Sequence, residues 1–323
     1  MAITLQEAKV GMADCVVQEV IDTFQRSSLL LDKLTFDNAI APGTGGSTLT
    51  YGYVQLKTPS VASVRNVNDE YVAGEAKREE KTAKAIIMGG SFEVDRVLQN
   101  TSGAIDELAF QAEQKIKATS NYFHNVVING TANASGTGYV TNTFDGLKKL
   151  LAGSANEFTS TADLSDAAKM DANYGAFLDE LDAFISAVDG TPSMLLMNRD
   201  MLTKIRGCAR RAGYYASERD DFGRVVETYR DIPLYDCGKY YNGTATQDVI
   251  PTTDGKTAIY AVVLGLDALH GISPAGNSVV NAYMPNMDEP GAVKKGEVEL
   301  VAGIALKNTN KAAVLKDIVI KSV

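Results

Sequence analysis

The clearest periodic pattern in the chain predicts one long amphipathic helix. From Ile105 onward, apolar residues recur at three- and four-residue spacing as far as Phe123. Ser102 is a candidate N-cap, and the glycine-rich stretch NGTANASGTG at 129–138 ends the pattern. We therefore predict a helix over 103–128, about 39 Å long at ~1.5 Å per residue.

A second helical pattern lies at the start of the chain. Residues 4–33 carry Leu5, Met12, Val16 and Phe24 on one face, which predicts one amphipathic helix or two shorter ones. Such a helix either packs on its own chain or forms an arm that packs on a neighbour.

Two strand patterns follow, and a long polar excursion separates them. TLTYGYVQL at 48–56 and AIIMGGSFEVD at 85–95 alternate as strands do. Seven of the ten residues from Glu75 to Lys84 are charged, four basic and three acidic. A connection of this length in a compact domain is usually functional or mobile, and mixed signs suit a polar contact better than a phosphate cradle.

The second half of the chain changes to short alternating helices and strands. The predicted elements are a helix over 177–188, a buried strand over 194–197, a helix after Asn198 that stops at Gly213, strand propensity over 224–238 with Pro233 at an edge or bend, a central strand over 259–266, and strand character over 298–320. This alternation predicts an α/β or α+β layer.

Composition is that of an ordinary globular protein. The 323 residues are 45% hydrophobic and 22% charged, and the formal net charge is −9. The negative charge makes a dedicated DNA-binding protein improbable, although it leaves room for a local basic face. No apolar run approaches the roughly 20 residues of a membrane span, and the N-terminus lacks a secretory signal, so we expect a protein kept in a cytoplasm and without a membrane partner.

Candidate chemistry is sparse. The only histidines are His124 and His270, and without HxxxH or HxH spacing we expect structural roles, no metal and no cofactor. The three cysteines, Cys15, Cys208 and Cys237, lack CxxC spacing and are predicted to be small buried residues.

Short motifs do not supply a catalytic site either. DFG at 221–223 lacks the other protein-kinase motifs, and GTGG at 43–46 lacks the strand and helix of a phosphate loop. No GxSxG is present. We therefore predict no catalytic residues and expect that the protein is not an enzyme.

The predicted helix over 199–211 is strongly basic. It carries Arg199, Lys204, Arg206, Arg210 and Arg211 against one acid, Asp200. Three interpretations stay open: a nucleic-acid face, a subunit contact in which arginine pairs with acidic neighbours, or a solvated helix whose charge is compensated locally.

The order of these elements resembles a known family. VAGEAKREEKTAKAIIMGGSFEVDRVL is followed by the long helix, by FDGLKKLLA, and by MLLMNRDMLTKIRGCARRAGYY with DIPLYDCG. This order is similar to that of the tailed-phage major capsid proteins with the Hong Kong 97-type fold, which encapsulin shells share. Glu75 in VAGE stands where many relatives have an acid.

The resemblance implies an α+β capsid fold in four regions. These are an N-terminal arm (1–47), a two-stranded extended loop (48–95), a peripheral domain with a spine helix and C-terminal strand (96–140 and 286–323), and an axial domain (141–285). The extended loop would lie over an adjacent subunit, which explains its lack of a partner in its own chain.

The resemblance also implies a function. The chain would self-assemble through pentamers and hexamers into an icosahedral shell around viral double-stranded DNA, in the virion, after assembly in the host cytoplasm. Scaffolding, portal and decoration proteins would be further partners, and contact with packaged DNA would be weak and non-specific. We predict these subunit contacts: Glu75, Lys77, Arg78, Glu79, Glu80, Lys81, Arg199, Arg210 and Arg211.

The sequence departs from the pattern of the capsid family in two respects, and three alternative functions stay open. The arm is short, so we expect no scaffolding segment to be removed and any scaffold to be a separate protein. Some relatives form a Lys–Asn cross-link, but no catalytic acid or acceptor accompanies Lys77, Lys81 or Lys84, so we expect none. The alternative functions are an encapsulin-like compartment for protein cargo, an α/β metabolic enzyme, and a tail or other structural virion protein.

Overall fold

The computed structural model describes residues 33–38, 49–101, 107–135, 137–213, 216–219, 225–274, 280–286 and 289–322. The predicted helix over 4–33 falls almost entirely outside these residues. The turn at 43–46, the DFG at 221–223, Cys15 and Ser102 also lie outside them.

The α-helices of the described chain all lie between Arg96 and Ala212, and strands precede and follow this region. The helices are α1 (Arg96–Thr101), α2 (Glu107–Asn129), α3 (Leu147–Leu151), α4 (Ala167–Ser186) and α5 (Arg199–Ala212). The strands are β1 (Phe36–Asp37), β2 (Thr50–Thr58), β3 (Lys77–Lys84), β4 (Ile86–Asp95), β5 (Glu157–Thr159), β6 (Met194–Met197), β7 (Ala216–Arg219), β8 (Val225–Tyr229), β9 (Ile232–Asp236), β10 (Lys239–Tyr241), β11 (Thr246–Asp248), β12 (Lys256–Val262), β13 (Leu269–Ile272), β14 (Val280–Tyr283), β15 (Val293–Leu306) and β16 (Ala312–Val319).

The long predicted helix is α2, and it ends one residue beyond the predicted boundary. Its C-terminal half is the most buried part, and Phe123, Val126, Val127 and Ile128 have no exposed surface. This half therefore lies at the centre of the molecule, between the two large sheets.

Helix α5 begins and ends as its sequence predicts. The Asn198 side-chain oxygen accepts a hydrogen bond from the Met201 amide at 2.8 Å, which caps the first turn. Gly213 takes the left-handed conformation at φ 76°, where a residue without a Cβ ends a helix at least cost.

Helix α4 is longer than predicted. The periodic pattern indicated only 177–188, but the helix starts ten residues earlier at Ala167. Asp166 caps it by accepting a hydrogen bond from the Lys169 amide. The first two turns carry a single buried apolar residue, Met170, so their hydrophobic pattern is too weak to predict the helix.

A five-stranded sheet forms the first layer, in the order β1-β13-β15-β14 with β4 also paired to β15. Strands β4 and β15 pair antiparallel from Asp95 opposite Val293 to Ile86 opposite Ala302. Helix α2 packs on one face of this sheet, where Phe92, Val94, Ala112 and Val298 form a core cluster.

A seven-stranded mixed sheet forms the second layer, in the order β5-β16-β12-β6-β9-β8-β7. Strand β6 is buried on both faces, as its apolar run MLLM predicts. Met194 and Leu196 join the central core with Phe123, whereas Leu195 and Met197 join a second core under α4 and α5.

The polar excursion is an antiparallel hairpin of β2 and β3, from Thr50 opposite Lys84 to Thr58 opposite Lys77. Its partner strand was not predicted from alternation, because six of the eight residues of KREEKTAK are charged and show no apolar alternation. The predicted strand at 85–95 exists as β4, but it pairs with β15 and not with β2.

Strand pairing differs from the predicted four-region division at two places. Strand β16, placed with the peripheral residues 286–323, pairs with β12 in the seven-stranded sheet. Strands β13 and β14, placed within 141–285, pair instead with β15 in the five-stranded sheet. The order of elements in the sequence does not reveal these pairings, because each strand pairs with a strand that is distant in the sequence. The division itself stays a prediction.

Pro233 was predicted to mark an edge or a bend, and the edge alternative is wrong because β9 is not an edge strand. Pro233 itself pairs with Thr228 of β8, whereas the pairing of β9 with β6 begins at Leu234. Strand β9 pairs with β6 on one side and with β8 on the other. The turn between β8 and β9 is short, and both of its residues, Arg230 and Asp231, have positive φ. This is the geometry of a type I′ hairpin turn, formed here without the usual glycine.

Candidate subunit-contact surfaces

The base of the hairpin packs firmly on its own chain. Tyr51 and Tyr53 are buried against Ile272 and Ala305 on the face of the five-stranded sheet opposite α2. The Tyr51 hydroxyl also donates a hydrogen bond to Asp37 at 3.1 Å. The direction in which the hairpin leaves the body is therefore fixed by two aromatic anchors.

Beyond the tyrosines, the Gln55 side-chain amide donates a hydrogen bond to the Thr309 hydroxyl at 3.1 Å, and from Leu56 onward the hairpin projects from the body. Every residue from Leu56 to Thr82 is exposed. Alternate residues of a strand point to opposite faces, so Val54 and Leu56 lie on the face away from the body, opposite Glu80 and Arg78. We call residues 50–84 the extended hairpin and residues 59–76 its tip segment.

The tip segment exposes a group of large apolar side chains. They are Val61, Val64, Val67, Tyr71 and Val72, each between 64% and 100% exposed. Five large apolar side chains exposed within twelve residues favour a contact surface in this segment. The sequence analysis missed these residues, although the three-residue spacing from Val61 to Val67, inside a polar stretch, could have signalled them.

The tip segment nevertheless has local structure. The Asp69 amide donates to the Asn66 carbonyl at 3.2 Å, and Asn68 has φ 72°, which is the pattern of a type II turn. The Arg65 guanidinium lies 5.3 Å from the centre of the Tyr71 ring. This turn and the cation–π contact hold the tip in a defined shape.

All six predicted contact residues of the hairpin are exposed: Glu75, Lys77, Arg78, Glu79, Glu80 and Lys81. Glu79 forms an ion pair with Lys57 at 3.5 Å. Within the described part of the chain, the other five predicted contact residues (Glu75, Lys77, Arg78, Glu80 and Lys81) form no ion pair. Their charges are therefore available to a partner outside the chain.

The basic helix α5 is largely compensated within its own chain. Arg206 pairs with Glu227 at 2.6 Å, and Arg211 forms an ion pair with Asp171. Lys204 donates to the Ser165 carbonyl at 3.1 Å. These contacts favour the solvated, locally neutralised helix over a nucleic-acid face.

Arg199 and Arg210 differ from the rest of α5. Both are exposed, and within the described ranges neither lies within ion-pair distance of an acid. Helix α5 packs on the seven-stranded sheet and the base of the hairpin on the five-stranded sheet, so the structure does not bring the nine predicted contact residues together as one site.

The reactive side chains are buried and arranged for packing. Burial lowers the pKa of His124 to about 4 and raises the pKa of Cys208 to about 11. Cys208 and Cys237 are free and buried, as predicted. In the part of the chain that the structure covers, no group of three or more His, Cys, Asp or Glu is placed to hold a metal ion. None of the described helices is both long and apolar enough to cross a membrane.

Comparison with known proteins identifies the family. The family described as SU10 major capsid protein matches residues 16–232, which is more than half of the chain. The chain belongs to this family. It is a shell-forming capsid protein, and its family is one of structural proteins of the virion capsid.

Solved structures agree with this assignment at the level of the fold. The SrpI encapsulin of Synechococcus elongatus is 16% identical with a TM-score of 0.65, and the match covers 98% of this chain and 96% of that chain. The Mycobacterium phage Bobi structure is 13% identical with a TM-score of 0.59 and 97% coverage of both chains. The capsid of a native GTA particle is 10% identical with a TM-score of 0.58 and 94% coverage of both.

These likenesses show a fold of the Hong Kong 97 type for the capsid protein, as the order of elements predicted. The fold extends over nearly the whole chain in each comparison. A search of curated proteins finds no match.

Proposed function

We propose that the capsid protein builds a closed shell in which the extended hairpin of each copy lies over the next copy. The observation that supports this is the uninterrupted exposure from Leu56 to Thr82, together with the apolar group of the tip segment. A hairpin on one copy and a receiving surface elsewhere on the next form a heterologous contact, which closes into a ring when the rotation permits.

The apolar group supplies enough free energy for a weak but useful contact. Full burial of a valine- or leucine-sized side chain contributes about 1.5 kcal/mol or more. Five such side chains therefore offer several kcal/mol, from which the ordering of the tip subtracts. Many contacts of this size, made together on closure, give a stable shell from weakly associating subunits.

The charged residues of the hairpin set the specificity of the contact. Glu75, Lys77, Arg78, Glu80 and Lys81 place charges of both signs within seven residues, so a shifted register would bring some like charges together. Glu79 takes part through its pair with Lys57. We propose Arg199 and Arg210 as a second contact with acidic neighbours, and Arg211 as a weaker member because Asp171 already engages it.

We further propose the capsid roles of the four regions and the composition of the particle. The arm (1–47) would run along a neighbour, the extended loop (48–95) would cover one, and the axial domain (141–285) would face the axis of pentamers and hexamers. The peripheral residues, 96–140 and 286–323, would carry the spine helix α2.

The shell would enclose double-stranded DNA and be assembled in the host cytoplasm. Contacts with DNA would be weak, because the net charge of −9 opposes phosphate binding. Scaffolding, portal and decoration proteins are proposed as separate partners. The scarcity of histidine and the absence of catalytic motifs support a role without catalysis.

A compartment for protein cargo is a second candidate. The likeness to an encapsulin at a TM-score of 0.65 favours it. The contents of purified particles separate the two functions, since a phage shell would hold DNA after packaging and a compartment would hold a protein.

The proposed hairpin contact is tested by removing the apolar group without altering the fold. The triple variant Val61→Ser, Val64→Ser, Val72→Ser should keep the melting temperature within about 2 °C, because these side chains pack on nothing in their own chain. It should also raise the concentration needed for assembly by tenfold or more, measured by light scattering. Val97→Ser changes a valine of similar exposure on α1 and serves as the control.

Unchanged assembly of the triple variant would contradict the proposed contact. A loss of assembly that Val97→Ser reproduces would show a general surface effect, which also counts against the hairpin as the specific contact.

A further inference from the structure

A buried histidine lies directly beneath the base of the extended hairpin. His270 has no exposed surface, and neither of its ring nitrogens has a hydrogen-bond partner in the described part of the chain. It shares the hairpin-facing side of β13 with Ile272, two residues further on. Buried imidazoles normally have a hydrogen-bond partner. Because an unpaired charge costs more to bury than a neutral polar group, the surroundings of this ring favour its neutral form.

The hairpin covers this ring through Tyr51. The Tyr51 and His270 rings meet edge to face, with their centres 5.7 Å apart and planes at 79°. The Lys307 ammonium lies 5.4 Å from the centre of the same Tyr51 ring. Tyr51 is thus the lid over His270, and its hydroxyl is held by Asp37.

The charged groups around the ring do not offer a protonated imidazole a good site. Lys307, at the end of β15, repels it, whereas Asp37 in β1 and Asp267 in the preceding turn attract it more weakly. The Ala268 backbone also favours a protonated ring, but less than burial or Lys307 disfavours it, and the Ala268 carbonyl already accepts from the Lys307 amide at 3.2 Å. A proton on the ring would therefore be accommodated best by letting water in.

We propose that His270 is an acid-sensitive latch for the extended hairpin: the neutral ring keeps Tyr51 seated on the sheet, and the protonated ring releases the base of β2. Release would free the two aromatic anchors that set the direction of the hairpin. In a shell this would re-aim the segment that covers the next copy. The latch itself belongs to a single chain, so it stands or fails independently of the proposed subunit contact.

The direction of the pH dependence follows from the surroundings of the ring. Burial, and secondly Lys307, lower the pKa of His270 below its ordinary value of 6.5. A released ring in water titrates near its ordinary value, so the seated state is fully favoured above about pH 6.5 and weakens as the pH falls. For one proton, the seating equilibrium falls by up to about tenfold for each pH unit until the seated ring itself titrates.

Hydroxyl-radical footprinting of the unassembled full-length chain measures the release directly. Tyr51 is 9% exposed when seated, Tyr71 on the tip segment is 64% exposed, and Tyr260 in the central core is 4% exposed. Between pH 7.5 and pH 5, we expect modification of Tyr51 to rise at least threefold toward that of Tyr71, while Tyr260 stays protected. In His270→Gln and His270→Phe, whose side chains do not titrate, Tyr51 modification should not change between the two pH values.

The control variant His124→Gln removes the other histidine and should leave the Tyr51 response intact. The proposal is overturned if Tyr51 stays protected at pH 5, if Tyr260 becomes modified in parallel, or if the neutral variants respond like the wild-type chain. A second measurement needs no variant of the latch: carbon-13 NMR of labelled histidine should place the His270 titration at the same midpoint as the Tyr51 response, and a mismatch would equally overturn it.

Discussion

Asn198 lies where strand β6 ends and helix α5 begins, and its side chain serves both elements. The side-chain oxygen caps the helix, while the amide nitrogen lies within 3.1 Å of the Ile250 carbonyl and of the hydroxyls of Thr252 and Thr257. The residue is only 2% exposed, so water cannot replace these bonds.

We expect Asn198→Ala to lower the free energy of unfolding by about 2–4 kcal/mol, because it removes the cap and leaves buried acceptors without a donor. Urea denaturation measures the change. Asp166→Ala is the matched control, since Asp166 caps α4 at an exposed site, and should cost about 1 kcal/mol. Equal costs for the two variants would show that the amide network contributes nothing.

His124 makes a different prediction at the residue scale, for global stability. Burial lowers its pKa to about 4 in the folded chain, against about 6.5 when unfolded. The unfolded chain therefore binds this proton more tightly, and stability is lost as the pH falls from 6.5 toward 4. At about 1.36 kcal/mol per pKa unit, the loss from this group reaches about 2 kcal/mol by pH 5.

Urea denaturation at pH 7.5 and pH 5 tests the effect. His124→Gln should lose about 2 kcal/mol less than the wild-type chain over this range, whatever its stability at pH 7.5. If His124→Gln and the wild-type chain lose the same unfolding free energy between pH 7.5 and pH 5, the lowered pKa of His124 is contradicted.

At the scale of elements, two neighbouring arginines of α5 have different surroundings. Arg211 is paired with Asp171, whereas Arg210, its neighbour, is exposed and has no acidic partner among the described residues. Exposed ion pairs contribute at most about 1 kcal/mol. We expect Arg211→Glu to reduce stability by that amount or less, with recovery in the double variant Arg211→Glu, Asp171→Arg.

Arg210→Glu should leave the melting temperature unchanged and weaken assembly at low salt, where charge interactions are least screened. Thermal unfolding and light scattering of both variants check this pair of expectations. If Arg210→Glu assembles normally at every salt concentration, Arg210 is not a subunit contact.

The elements that sequence predicted well are those with strong local signals. Helix α2 has a sustained 3.6-residue period, α5 has both caps, and β6 is a short apolar run between turns. Strand β3 and the first half of α4 lack such signals: β3 is charged and forms through pairing with β2, and α4 begins on polar residues.

The candidate contact surface divides in the same way. The charge density of 75–84 indicated a polar contact, and each of its six named residues is exposed. The apolar tip was missed, because the three-residue spacing of a few valines does not by itself show whether they are buried or exposed, and their exposure becomes visible only in the fold. The lid of Tyr51 over His270 joins residues 219 positions apart, which no local pattern predicts.

At the scale of the whole molecule, the chain buries two cores of its own yet leaves one long projection uncovered. The central core and the core under α4 and α5 share the strands of the seven-stranded sheet, which makes the body a continuous packed unit. The extended hairpin leaves this body from two tyrosine anchors and the Gln55–Thr309 hydrogen bond, and its residues from Leu56 to Thr82 are exposed. The body thus packs its own cores, but it leaves the extended hairpin exposed, as expected for a subunit that contacts neighbouring copies in a shell.

The most direct test of this account is the mass of the particle formed by the chain expressed alone, measured by multi-angle light scattering after size exclusion with negative-stain images of each peak. The account predicts pentamers, hexamers or closed shells, in amounts that rise with protein concentration. A monomer or dimer that persists at high concentration, with or without crowding agents, would contradict self-assembly as the function of the capsid protein.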